Sequence, residues 1–184
     1  MTGARERARQ AVRRFATDAE IAQESGVRDG EIVLVLPGEK KLKTVCSVLV
    51  GERDLRLTAF VIRKPDENHA QFYRWLLQRN LRTPGLAYAL DARGDVFVVG
   101  RLPLGAVDSD SLDQLLGVVL ESCDGAFNEL LALGFLTAMR REWDWRVSRG
   151  ESLRNLDAFR DILAGAEEPT ASAAGDGVDS SRTN

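Results

Sequence analysis

Histidine is nearly missing from this sequence: His69 is the only one in 184 residues. A metal site built on several imidazoles is therefore excluded, and Ser-His-Asp or Cys-His chemistry would have to run through that single side chain. Cysteine is almost as scarce. Cys46 and Cys123 lie far apart, in no metal-type spacing, and read as two buried thiols in a reducing compartment. Apolar runs are too short to cross a bilayer, which takes about 18 residues or more, and the first residues lack the apolar core of a secretory signal. The expected setting is the cytoplasm, with no membrane partner. Excess positive charge is missing as well: the formal net charge is −3 and the pI about 5.3, which argues against a nucleic-acid binder. The one basic stretch is the N-terminal helix, where Arg5, Arg7, Arg9, Arg13 and Arg14 face only Glu6; it reads as a solvated face.

Cofactor motifs are lacking too. No GxGxxG run links a strand to a helix. The segment Pro37-Gly38-Glu39-Lys40-Lys41 has glycine and lysines but not the spacing of a phosphate-binding loop, and reads as a plain turn. No cofactor, no metal and no catalytic residue is expected.

What is present is architecture. Residues 85–104 read as two short strands around a turn at Asp91-Ala92-Arg93-Gly94, with Gly94 in the left-handed position of a bulged hairpin. Apolar residues at helical spacing predict a first helix over 4–24, ended by Gly26. Strands are predicted over 31–36, 43–50 and 55–63. In the last, Leu55, Leu57, Ala59 and Val61 share one face, with Arg56, Thr58, Phe60 and Ile62 on the other. Asp66 is read as the cap of a second helix, with Glu67 at its positive end. Asp108, Asp110 and Asp113 open a long helix carrying the strongest apolar stripe in the chain. Gly125 marks a kink or a close approach within it. Two more helices are read over 136–147 and 153–163, and residues 165–184 read as a disordered tail. The fold class is α+β: an antiparallel five-stranded sheet with helices packed on it, in the order α-β-β-β-α-β-β-α plus C-terminal helices. The expected division is an N-terminal helix (1–26), an α+β core (27–135), a helical extension (136–164) and the tail (165–184).

With LLQRN at 76–80, LAYALD at 86–91, GDVFVVGRLPL at 94–104, LDQLLG at 112–117 and AFNELLALGF at 126–135, the chain resembles the YbjN-like family. The tryptophan-containing EWDWR at 142–146 points to its actinobacterial branch. The resemblance spans about residues 31–163. It implies a fold similar to type III secretion chaperones, often homodimeric, and carries the label of a sensory transduction regulator. It brings no catalytic residues.

The leading expectation is a non-enzymatic, chaperone-like or regulatory domain that binds an unidentified protein partner and forms a homodimer. Apolar residues on both faces of the sheet support this, as do strand edges with little charge to protect them. Phe60, Phe97, Val99, Trp145 and Arg146 are the interface candidates. Trp143 falls on a core stripe, whereas Trp145 lies off it, and Glu142 can pair with Arg146 one turn on. Two alternatives remain open. One is a small-molecule sensor using the concave sheet face. The other is a hydrolase centred on His69 with Asp66 or Glu67, although a core or boundary histidine is the simpler reading.

Overall fold

The computed structural model describes residues 2–164, so the tail expected over 165–184 lies outside the described residues. The chain divides into two compact units, Met1–Ala138 and a second beginning at Met139.

In the first unit, helix α1 (Thr2–Asp18) leads into strands β1 (Ala22–Ser25), β2 (Glu31–Pro37), β3 (Lys43–Val50) and β4 (Asp54–Ile62). Helix α2 (His69–Asn80), the hairpin β5 (Leu86–Leu90) and β6 (Val96–Pro103), and helices α3 (Ser109–Leu120) and α4 (Phe127–Gly134) follow. All strand pairings are antiparallel, in the order β1-β2-β3-β4-β6-β5. Because side chains alternate across a strand, Ile32, Leu34 and Leu36 of β2 fall on the same face as Cys46, Val48, Leu57, Ala59, Val96 and Val98. All are buried. Every helix of this unit contributes to that one core: α1 through Val12 and Ala16, α2 through Phe72 and Leu76, α3 through Leu112, Leu116 and Val119, and α4 through Leu130. The opposite sheet face carries no helix of the unit.

The sheet has six strands rather than the five expected, and the first helix stops six residues earlier than its apolar spacing suggested. The termination is a Schellman motif. Glu20 takes the left-handed conformation (φ 54°), its N–H donates to the Thr17 carbonyl at 3.2 Å, and the Ile21 N–H donates to the Ala16 carbonyl at 2.8 Å. Glycine normally fills that position, so a glutamate gave no stop signal. The freed segment Ala22–Ser25 then pairs with β2.

The cap of α2 also differs from expectation. Asn68, not Asp66, precedes the helix, in a left-handed conformation and with no side-chain cap bond. Asp66 instead takes both Nη atoms of Arg63, at 2.6 and 2.7 Å, and Glu67 accepts from the backbone N–H and hydroxyl of Thr137. Of the acids expected at the start of α3, Asp108 is the cap: it accepts from the Ser111 N–H at 2.8 Å, and the Ser111 hydroxyl accepts from the Asp108 N–H, closing a capping box. Gly94 has φ 89° in the bulged turn. At Glu121–Gly125 the helical path loosens into a π-turn before α4.

In the second unit, α5 (Leu136–Arg149), which begins in the first, is followed by a 3-10 turn (Arg154–Phe159) and α6 (Arg160–Ala164). A single helix over 153–163 was expected; its first half is 3-10. Leu156, Phe159 and Leu163 are buried.

Glu31 at the start of β2 accepts from the Arg28 guanidinium at 2.7 Å, the Ser47 hydroxyl and the Arg28 N–H. These donors hold its carboxyl at about 2, against an ordinary 4.5. The folded state binds this proton less readily than the unfolded chain, so the contribution is full above about pH 4.5 and is lost as pH falls towards 2. Urea melts across that window are expected to show stability falling with acidity, more steeply in the wild type than in Glu31→Gln.

Candidate partner-binding face

Strand alternation sends Val33 and Val35 of β2, Val45 of β3, Phe60 of β4 and Phe97 and Val99 of β6 to the face without helices. The register aligns them. Ala22, Val35 and Val45 run across β1 to β3, and Phe60, Phe97 and Ala89 continue across β4, β6 and β5. The neighbouring row is Glu24, Val33, Ser47, Thr58, Val99 and Ala87. Val45 and Phe60 are 43% and 38% exposed, whereas Phe97 and Val99 are half-buried by their neighbours. The Phe60 and Phe97 rings meet edge to face, 5.5 Å apart, a favourable cross-strand pair.

Two structures shape this face. The first is the β2–β3 loop, which is no plain turn. The backbone N–H groups of Glu39, Lys40 and Lys41 converge on the Asp124 carboxylate at 3.2, 3.0 and 2.7 Å. Glycine is required at 38, since a Cβ there would lie 2.1 Å from the Lys41 carbonyl oxygen and 2.4 Å from Asp124 Oδ1. The loop thus wraps a carboxylate from the π-turn as such loops wrap anions. Lys41 then reaches back to the sheet. Its ammonium donates to the carbonyls of Phe60 (2.5 Å) and Val61 (2.9 Å), where the β4 register shifts, and sits 5.0 Å from the Phe60 ring centroid. Burial lowers its pKa, against the opposing pull of Cys123 and Asp124.

The second structure guards the sheet edge. The outer backbone groups of Tyr88 on β5 are both taken by the Asn80 carboxamide: the Tyr88 N–H donates to Oδ1 at 2.7 Å, and Nδ2 donates to the Tyr88 carbonyl at 3.3 Å. The edge expected to be unprotected is therefore plugged at its centre by a side chain from α2. Asn80→Ala is expected to cost about 1–3 kcal/mol for the two bonds and to promote strand-to-strand association. Urea denaturation and light scattering at increasing concentration check both effects.

The other candidates are separate. Trp145 lies on α5, 44% exposed, with the Arg149 guanidinium 5.3 Å from its ring; Trp143 is half-buried. Arg146 is tied inward, donating to Glu142 at 2.6 Å and to the Ser152 carbonyl at 2.9 Å.

His69 is neither core nor boundary. It is exposed and stacks on Tyr73, with centroids 6.2 Å apart. The carboxylates beside it bond Arg63 and Thr137, and the charge of His69 helps to hold the Asp66 carboxyl below its ordinary value, after the larger effect of Arg63. The thiols of Cys46 and Cys123 are buried and unbonded, and burial pushes both up, Cys123 to about 12. Among the described residues no group of three or more His, Cys, Asp or Glu could hold a metal ion, and no helix is long and apolar enough to cross a membrane. Clefts of about 380–490 Å³ lie on the helical side, one of them lined by Arg79, Arg82, Pro84, Gln114 and Val118.

A family model described as "Putative bacterial sensory transduction regulator" matches residues 8–132. The chain belongs to the YbjN family. An uncharacterised protein of Mycobacterium tuberculosis is 55% identical over 128 residues, covering 70% of each chain, in keeping with the actinobacterial branch. The crystal structure of YbjN from E. coli superposes with a TM-score of 0.51 at 11% identity, covering 67% of this chain and 91% of that one. The ExsC–ExsE complex gives 0.50 at 13%, covering 68% and 94%. At these identities the two structures show the shared α+β fold alone.

Proposed function

We propose that this YbjN-family chain is a non-enzymatic, chaperone-like regulatory domain that binds a partner protein on its open sheet face and works as a homodimer. The observation that carries the reading is the apolar row crossing that face through Phe60 and Phe97, flanked by Val33 and Val99 and left without a helix by the first unit. Contiguous apolar surface of this kind marks interaction sites on folded proteins. The ExsC–ExsE structure, similar in fold, was solved as a complex, which supports the same reading. The dimer is assigned to the Trp145 segment, where Trp145, Val147 and Ile162 are all exposed; Arg146 braces the turn behind it.

Light scattering coupled to size exclusion at micromolar concentration tests the dimer. Wild type is expected at twice the 20.3 kDa chain mass, and Trp145→Ala at the single mass. A clean single mass for wild type removes the dimer. For the partner, wild type and a Phe60→Ser/Phe97→Ser double variant serve as baits in an extract of the source cells. A protein retained by the first and lost by the second is the expected result, and identical captures refute the role of this face.

A further inference from the structure

The charges beside Phe60 and Phe97 are unbalanced. Arg56 of β4 stands directly opposite Arg101 of β6 on the open face, an arrangement that like charges disfavour. Both lean on one acid, Asp54: Arg56 Nε is 3.1 Å from Oδ1 and Arg101 Nη1 is 3.8 Å from Oδ2. Asp54 is three-quarters covered, while the two arginine side chains are 54% and 70% exposed. Two guanidinium groups therefore share one carboxylate, one row from Thr58–Val99 and two rows from Phe60–Phe97. At the far end of the rows stand Lys43, exposed on the same face, and the Lys41 ammonium against the Phe60 ring. Acids on this face lie towards β1 and β2, where Glu24 is exposed and Glu31 is held by Arg28, so in a chain that is acidic as a whole, at −3, the cations gather on the side of the face around Phe60 and Phe97.

Resting on the partner-binding reading above, we propose that the occupant of this face is an acidic-apolar protein segment, whose apolar side chains cover Phe60, Phe97 and Val99 while a carboxylate relieves the Arg56–Arg101 pair. Phe60 and Arg56 lie four residues apart on one strand, about 13–14 Å. An extended segment meets that span with an acid four residues from an aromatic anchor. Arginine suits the role because its planar fork accepts a carboxylate in two parallel bonds. A second copy of this chain brings the same cations to the face and does not relieve them. Single-stranded nucleic acid fits less well, because the Phe60 and Phe97 rings meet edge to face and form no coplanar stacking platform.

The probe is a fluorescent peptide of about twelve residues, alternating serine with isoleucine and phenylalanine, with two glutamates four residues from the phenylalanine. A matched peptide carries lysines in place of the glutamates, and a third probe is an oligothymidine of about ten nucleotides. Fluorescence anisotropy is expected to show the acidic peptide binding at least about tenfold tighter than the basic one, with the preference shrinking in high salt. Arg56→Ser/Arg101→Ser is expected to abolish the preference, and Asp54→Asn to enlarge it. Equal binding of the two peptides, with both weakened by Phe60→Ser, overturns the acidic partner but leaves the binding face standing. Indifference of both peptides to Phe60→Ser overturns the face itself and this inference with it. Tighter binding of the oligonucleotide, or a preference that survives loss of both arginines, also refutes the proposal.

Discussion

Replacing Phe72 with alanine is expected to cost about 3–5 kcal/mol, the range for truncating a fully buried phenylalanine, read as a lower urea midpoint with an unchanged slope. Phe72 is fully buried in α2 and lies flush against α4. A Cβ on Gly134 would meet the Phe72 ring at 2.9 Å and Pro65 Cβ at 2.8 Å. The glycine thus lets the two helices close, and its carbonyl accepts from the N–H groups of Asp66 and Glu67. Removing the ring leaves a cavity at a junction of α2, α4 and the β4–α2 loop, where the backbone is already tied down and collapse is limited. A loss below about 1 kcal/mol would show that the junction relaxes.

Asp124→Ala is expected to cost about 3 kcal/mol, since three N–H groups lose a charged acceptor at once and each such bond contributes about 1.5–3 kcal/mol when sheltered. The total stays near the worth of one or two sheltered bonds because two of the three are exposed. The effect should extend beyond stability. With the loop released, Lys41 loses its hold on the Phe60 and Val61 carbonyls, so amide shifts at Phe60 and Phe97 on the far side of the sheet are expected to move. Asp124→Asn keeps an acceptor without the charge and should fall between the two. Unchanged Phe60 resonances in the alanine variant would show that Lys41 holds its place without the loop.

Local chemistry was legible in the sequence. The alternation of Leu55, Leu57, Ala59 and Val61 placed the core face of β4, and Asp91 with Gly94 placed the hairpin turn. The acids Asp108, Asp110 and Asp113 placed the start of α3, though which of them caps it, Asp108 through Ser111, shows only in the structure. What stayed hidden depends on distant partners or on residues that break a preference. Strand β1 reads AQES, with no β-branched residue, and Ala19 and Ala22 continue a helical stripe past a stop made by glutamate. Asp66 had the right residue type for a cap, but Arg63 outbids the helix end for it. The loop at Glu39–Lys41 closes on an acid more than eighty residues away, and Asn80 plugs an edge whose position only the sheet order reveals. At the interface candidates, periodicity showed that Phe60, Phe97 and Val99 share an outward face, but not that Arg56 and Arg101 stand opposed beside them, which is a matter of register between non-consecutive strands.

The sheet order also governs how the molecule assembles. Strands β1 to β4 follow one another in space as in sequence, so each pairing closes only a short loop. The β5–β6 hairpin is equally local and forms on its own turn. The seam between β4 and β6 is different: it joins two pre-formed pieces across the whole of α2 and β5, and long closures are the slow steps of folding. Phe60–Phe97 and Arg56–Arg101 straddle that seam. The strip of surface assigned to the partner therefore exists only once the two halves have joined, and a chain caught before that has no binding face to offer.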